Sequence, residues 1–430
     1  MFKFRNFASS QSKTAPVAGN GNNLPIWHML LLSISFFNAA LRVDIDSDIT
    51  LFRIALPLFI LYLFFRSLQE FVNLILVILG FTILQAISFA SSPYSFYYIN
   101  IVSYINYVIM FIFAIYIYSI NKTFSGKSIE LFVTSYIYIL IVFSIIQYLF
   151  DVNVINIQDR PALNSWYGNE NDASLALTAF ILYTCRFNLF RKNFLIILSS
   201  IVIIWYNDSR TCLLTLTIVP FYLIYRKYGW KYSSLLTINL TIVFIIAFGI
   251  FGLLDEAFEG VRTFFLAVQH GIMIIAELKV IPGFFSSVDV RSMAATLAIL
   301  DFLEHPFFGV GVGNTYTLID INSVVFNGTI SSIHNMPLMI LAEMGIIGSL
   351  FIIFCLKYIS KIPLTSFIFW LGIFSLASVS SAAGFIVNYF TLMMLVLVVS
   401  TPLAATPRKK ALIEKAKSKS FFWAKKYHNV

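Results

Sequence analysis

Apolar runs, parted by breaks of only a few polar residues, constrain this chain more than any other feature of its sequence. They lie at roughly 25–41, 50–65, 72–91, 99–120, 130–150, 173–186, 194–207, 211–225, 234–254, 336–356, 363–382 and 385–403. A bilayer span takes about 20 apolar residues, and the shorter runs can be accommodated by tilt or local thinning. Charged residues are 11% of the 430 and hydrophobic residues 59%, whereas a soluble domain carries about 25% charged residues. A soluble enzyme, a nucleic-acid-binding module and a disordered scaffold are all excluded. The expectation is an all-α polytopic membrane protein with about 12 transmembrane helices and one large periplasmic loop between spans 9 and 10. Spans 1–9 then occupy residues 1–254, the loop 255–335, spans 10–12 residues 336–403, and a basic tail 404–430.

The first run imitates a cleavable signal peptide, with Lys3, Arg5 and Lys13 ahead of it and Ala39-Ala40 near its end. Asn38 fits poorly where a small residue is needed, and the run is long enough to span, so an uncleaved helix is expected. Cys185, Cys212 and Cys355 lie in apolar stretches without C-x-x-C or Cys/His spacing. Neither a disulfide framework nor a zinc site is expected.

The charges orient the runs. With the N-terminus inside, 22 of the 29 basic residues fall in inner segments, and only Arg42, Arg53, Arg160, Arg210, Arg262, Lys279 and Arg291 fall outside. Of the 20 acidic residues, Glu70, Glu130 and Glu414 alone are inner. Every loop obeys the positive-inside rule. Both termini are expected in the cytoplasm and the long segment on the outer side. The net charge of +9 therefore records topology and not an acidic partner. The tail mixes eight basic residues with Phe421, Phe422 and Trp423, which suits the anionic inner leaflet and not nucleic acid.

Four outer patches could carry chemistry. In Asn207-Asp208-Ser209-Arg210-Thr211 the break is so short that Arg210 sits at the membrane surface, where an arginine faces a wet cavity or the protein interior. Its planar fork suits phosphate, and an ion pair with Asp208 is the plainer alternative. In the long segment, Met293, Ala294, Leu297, Leu300 and Leu303 recur at helical spacing between a capping Asp289 and a terminating Pro306. Arg291 falls in the first turn. The following Gly309-Val310-Gly311-Val312-Gly313 alternates its glycines and is no dinucleotide fingerprint; a flexible or tightly turned re-entry segment is expected. The third patch ends in His334-Asn335, with Glu343 and Gly345 further into the tenth span. A histidine at the mouth of a span can act as general base or as a structural hydrogen-bonder, and Glu343 needs a partner in an apolar helix. The fourth runs from Asp159-Arg160-Pro161 to Gly168-Asn169-Glu170-Asn171-Asp172.

The stretch His305-Pro-Phe-Phe-Gly-Val-Gly-Val-Gly-Asn, followed by His334-Asn335, Leu338, Leu341, Glu343, Gly345 and Gly348, resembles the signature of the O-antigen ligase and Wzy-type polymerase superfamily. Ser209-Arg210-Thr211, Arg291 and Asn169-Glu170-Asn171 are similar to further features of that family. The resemblance covers about 155–350. It implies a large periplasmic loop capping a cavity, and an inverting, metal-independent glycosyl transfer without cofactor. The donor would be a glycan on undecaprenyl diphosphate and the acceptor a sugar hydroxyl. Carried over, Arg210 and Arg291 would hold the diphosphate and His334 would take the acceptor proton. Arg160, Asn335, Asn171, His305 and Glu343 would bind substrate. Asp208 beside Arg210 departs from the pattern, and Glu343 and Asp172 compete with His334 as base. A bacterial inner-membrane location follows, with the site on the periplasmic face and a chain-length regulator protein admitted as a partner.

A polymerase extends another lipid-linked repeat, whereas a ligase loads lipid A–core. The polymerase is preferred, because the family pattern is confined to the loop region. A twelve-span transporter or flippase is the alternative from another class, but such proteins show two similar halves, and here the largest segment is off-centre.

Overall fold

The computed structural model describes residues 23–37, 51–94, 96–150, 163, 170–187, 189, 192–207, 209, 212–213, 215–216, 273–277, 287–321, 335–363, 366, 369–370, 373, 376 and 388–401. Among these the regular structure is helical. In chain order the helices are α1 (Ile26–Phe36), α2 (Leu51–Arg66), α3 (Leu68–Ser91), α4 (Tyr98–Thr123), α5 (Gly126–Phe150), α6 (Glu170–Phe187), α7 (Phe194–Tyr206), α8 (Ser287–Glu304), α9 (Asn314–Ile321), α10 (Met336–Ile359) and α11 (Tyr389–Ser400). Four of them, α3, α4, α5 and α10, are long and apolar enough to cross a bilayer. The runs at 211–225, 234–254 and 363–382 lie largely outside the described residues, so the expected count of twelve is neither reached nor refuted by these helices.

The burial pattern is that of a protein solvated by lipid. On α3, Leu68, Val72, Ile75, Leu76, Leu79, Ile83 and Ile87 are exposed, while Glu70, Gln85 and Ser88 are buried beside Leu74 and Phe81. The apolar stripe recurs every three to four residues but faces outward, the reverse of a water-soluble helix. At the centre stands α11, every residue of which is buried, packed chiefly against α4 and α6. Aromatic rings close this core: Tyr389 lies against Phe52 and Phe113, and Phe390 stacks on Tyr136 and meets Phe36 edge-on. Such pairs add about 0.5–1.5 kcal/mol each beyond the area they bury.

Successive long helices run antiparallel, which gives the bundle two chemically different ends. At one end Lys122 meets Glu70 at 2.6 Å and Lys192 meets Glu130 at 2.6 Å. Arg186 donates to the Thr401 carbonyl there, and Asn121 to Ser400. Arg66, Lys357 and Lys361 belong to the same end, where α2 and α10 finish. Not every arginine expected outside serves a site. Arg53 donates to Asn106 at 3.0 Å and cross-links α2 to α4 within the bundle.

Candidate functional site at the end opposite the basic residues

The sequence patches gather into two clusters at the end away from Lys122 and Lys192. The first joins the start of α6 to the end of α7. Asn207 follows α7, and its side chain grips Leu163 like a strand neighbour: Oδ1 accepts from the Leu163 N–H at 3.0 Å and Nδ2 donates to the Leu163 carbonyl at 3.2 Å. Nδ2 also reaches Ser174 of α6 at 3.2 Å. Next to it, Ser209 donates to Asn171 Oδ1 at 3.4 Å. Leu163, the start of α6 and the residues Asn207 and Ser209 that follow α7 are thus held side by side. Asn388 ties in α11 by donating to the Asp172 carbonyl at 2.9 Å. Arg160, Arg210 and His334 themselves lie outside the described residues.

The second cluster is built around a break in α10. Gly345 adopts φ 60°, ψ −165° in the middle of that helix, a conformation essentially confined to glycine. The break parts two helical hydrogen bonds, leaving the carbonyls of Ala342 and Glu343 and the N–H groups of Ile346 and Ile347 without their usual partners. Residues 306–311 replace them. Val310 N–H donates to the Ala342 carbonyl at 3.0 Å and Gly311 N–H to the Glu343 carbonyl at 2.8 Å. In return Ile346 N–H donates to the Pro306 carbonyl at 2.9 Å and Ile347 N–H to the Phe307 carbonyl at 3.0 Å. All four separated groups are satisfied at a depth where an unpaired one costs about 1–3 kcal/mol.

The glycines permit this approach. A Cβ on Gly309 would collide with the backbone of Ala342, Glu343 and Met344, and one on Gly311 with the Phe89 ring. The tightly turned re-entry segment expected from sequence is therefore present, and Val310 and Val312 are fully buried in it. Polar residues of α3 and α4 complete its seat. Ser88 donates to the Phe308 carbonyl at 2.5 Å, and Val312 N–H donates to Gln85 at 3.0 Å. Asn100 donates to the Val312 carbonyl at 2.8 Å and to Asn314 at 2.7 Å.

Glu343, expected among the substrate-binding groups, is 1% exposed. Its Oε1 accepts from Gly313 N–H at 2.9 Å and from the Thr315 hydroxyl at 2.5 Å. The partner that an acidic residue in an apolar helix requires is the re-entrant loop. Asn335 caps α10, its side chain accepting from Leu338 N–H at 3.2 Å, and so aims that helix from the residue next to His334. Arg291 is exposed on α8, while Ala294, Ala295 and Ala298 of the same helix are buried. His305 follows α8, its N–H donating to the Asp301 carbonyl at 2.9 Å and its carbonyl accepting from Gly309 N–H at 3.0 Å.

Sequence reading passed over Tyr94 and Asp301. Tyr94 donates to Asp301 Oδ1 at 2.9 Å, joining the α3–α4 connection to α8. Burial pushes the Asp301 carboxyl up to about 6, with Glu304 raising it further while Tyr94 and His305 pull it back. Burial and Asp301 push the Tyr94 hydroxyl above its ordinary value. The available signal was the polar residues interrupting apolar runs, Gln85 and Asn100 above all. Among the described residues there is no cluster of three or more His, Cys, Asp or Glu able to hold a metal ion.

Parts of both clusters fall in one matched stretch. No curated protein matches the chain, but residues 194–353 match the family model described as O-antigen ligase. That stretch contains α7, Asn207, Ser209, α8, the re-entrant glycine segment and most of α10. Across that stretch the chain is similar to the O-antigen ligase and Wzy-type superfamily.

Proposed function

We propose that this chain polymerises undecaprenyl-diphosphate-linked oligosaccharide repeats into a surface polysaccharide, at the face of the bacterial inner membrane opposite its basic end. The observation that carries this reading is the joining of its polar patches at that end. Asn207 and Ser209 hold Leu163 to the start of α6, and Glu343 and the broken α10 hold the segment that follows Arg291 and His305. The basic end then faces the cytoplasm, as the positive-inside rule requires, and the reaction face is periplasmic.

In the reaction, an acceptor hydroxyl attacks the anomeric carbon opposite the diphosphate. The anomeric C–O bond breaks with inversion, its electron pair leaves on undecaprenyl diphosphate, and the hydroxyl proton passes to His334. The leaving group gains charge as the bond breaks, and fixed cations stabilise it. Arg291 and Arg210 take that role, because a guanidinium grips phosphate oxygens in pairs. Arg160, Asn171, Asn335 and His305 line the acceptor and donor sugars. Glu343 remains with the substrate region as the residue that holds its loop, since a carboxylate already engaged by Gly313 and Thr315 has one oxygen less to offer a sugar.

The matched family's description favours a second reading, an O-antigen ligase acting on lipid A–core. A reaction with purified protein and lipid-diphosphate-linked repeats alone separates the two. A ladder of products formed without lipid A–core supports the polymerase, and a chain-length regulator would then narrow the ladder. Product only after core is added supports the ligase. Lipid flipping without any new bond would leave the transporter.

A further inference from the structure

Far from the glycan-transfer end, α1 and α2 leave a groove of about 600 Å³ between them at the basic end of the bundle. Its walls are apolar, formed by Leu30, Ile34, Leu58, Leu61 and Phe65, with Trp27 and Tyr62 beside them and Arg66 at its rim. Leu30 and Phe65 are well exposed, so the groove opens on the side where lipid lies. Trp27 is held in place, its ring stacked on His28 with centroids 3.4 Å apart and tilted against Tyr62 at 5.7 Å. An indole and a phenol at the end of a span mark the headgroup level.

Arg66 differs from Lys122, Lys192 and Arg186 of this end. Lys122 and Lys192 each rest on a carboxylate 2.6 Å away, and Arg186 donates to a carbonyl. Arg66 is exposed in the last turn of α2 and has no ion-pair partner among the described residues. An apolar slot with one uncompensated cation at its headgroup end has the polarity of an amphiphile carrying a single negative head. Basic pockets between spans on the cytoplasmic side are the usual place for anionic headgroups.

We propose that the α1–α2 groove binds one anionic phospholipid, with an acyl chain between Leu30, Ile34, Leu58 and Leu61 and its phosphate on Arg66. A zwitterionic lipid can fill the same slot, but its own ammonium competes for the phosphate that Arg66 would hold. The site is therefore selective for charge and not merely coated by bulk lipid. This inference does not depend on the glycosyl-transfer reading.

Trp27 supplies the probe. The full-length protein is reconstituted into vesicles with rising fractions of brominated phosphatidylglycerol or brominated phosphatidylcholine. Bromine quenches indole fluorescence on contact, and the difference between wild type and Trp27→Phe isolates this ring from the other tryptophans. The Trp27 signal is expected to be half quenched at a several-fold lower fraction of the glycerol lipid. Arg66→Gln is expected to bring the two curves together, and Arg66→Lys to keep them apart, because a point charge still attracts a lipid phosphate. Equal quenching in the wild type overturns the proposal, as does a preference that survives Arg66→Gln. Absence of quenching by either lipid means that protein fills the groove, and it overturns the proposal too. Should Arg66→Gln fail to insert, the wild-type curves and Arg66→Lys decide.

Discussion

Gly345 and Phe307 are locked backbone to backbone: a Cβ on the glycine would lie 2.5 Å from the Phe307 carbonyl oxygen. The glycine is at once the residue that breaks α10 and the one that lets the His305–Gly313 segment enter the break. Two requirements meet at one position, a positive φ and no side chain, and alanine fails both.

Gly345→Ala is expected to be the most damaging single change in this region. The backbone strain alone is about 1–3 kcal/mol, and the collision with Phe307 adds an overpacking cost of about 1–3 kcal/mol. The thermal midpoint of the purified protein should fall sharply, with activity lost in parallel. Gly126→Ala is the control, since nothing lies within 4 Å of a Cβ there; it should leave both unchanged.

Glu343 separates a holding role from a proton-transfer role. Glu343→Gln keeps an oxygen to accept from Gly313 N–H and Thr315, so activity should stay within a few-fold of wild type. Glu343→Ala leaves that buried N–H unpaired, at a cost of about 1–3 kcal/mol, and should lower the thermal midpoint. A Gln variant that folds normally but makes no product would show that Glu343 is the general base after all.

Arg291→Ala should abolish product while the protein still inserts and accumulates, because Arg291 is an exposed residue in the first two turns of α8. Loss of one transition-state charge partner corresponds to about 10²–10³-fold in rate. Arg291→Lys should recover little, since a lysine cannot form the paired contacts of the fork. Glycan of wild-type length from Arg291→Ala would refute the diphosphate role.

The burial of the Asp301 carboxyl makes stability depend on pH in a known direction. The folded carboxyl sits at about 6, above its ordinary 3.8. Between those values the folded protein holds a proton that the unfolded chain has released, so stability rises as pH falls from 7 toward 4. The effect is on the order of 2–3 kcal/mol. Asp301→Asn should be more stable than wild type at pH 7 and should lose this part of the pH response. Melting curves at pH 5 and pH 7 check both; a wild-type protein that is less stable at pH 5, with Asp301→Asn unchanged from it, would refute the assignment.

Asn207→Ala removes both hydrogen bonds to Leu163 and the contact to Ser174. With Leu163 released from the end of α7, turnover should fall at least tenfold, and Asn207→Asp, which keeps only the accepting half of the grip, should fall less far. Both are read from product formation with lipid-linked repeats.

Much of the helical framework was legible because a bilayer admits few backbone solutions. Any apolar run long enough must close its own hydrogen bonds, and so the runs expected at 72–91, 99–120, 130–150 and 336–356 correspond to α3, α4, α5 and α10, each extended by a few residues. The alternating glycines were legible as a turn but not as a seat. Their spacing says that the chain must bend, whereas the place it bends into is a gap made by Gly345, thirty-odd residues later. Glu343 shows the same limit. An acidic residue in an apolar run announces that it has a partner, but not that the partner is the N–H of Gly313 and the hydroxyl of Thr315.

The sequence by itself determined that this is a helical membrane protein, because hydropathy acts on each run independently of the others. Only the tertiary structure decided which polar residues share a site. Antiparallel packing put Asn171, Asn207 and Ser209 in one cluster, and the exchange of four backbone hydrogen bonds across a broken helix put Pro306–Gly313 in another. Those pairings depend on contacts between distant segments, for which no local pattern of residue types is a substitute.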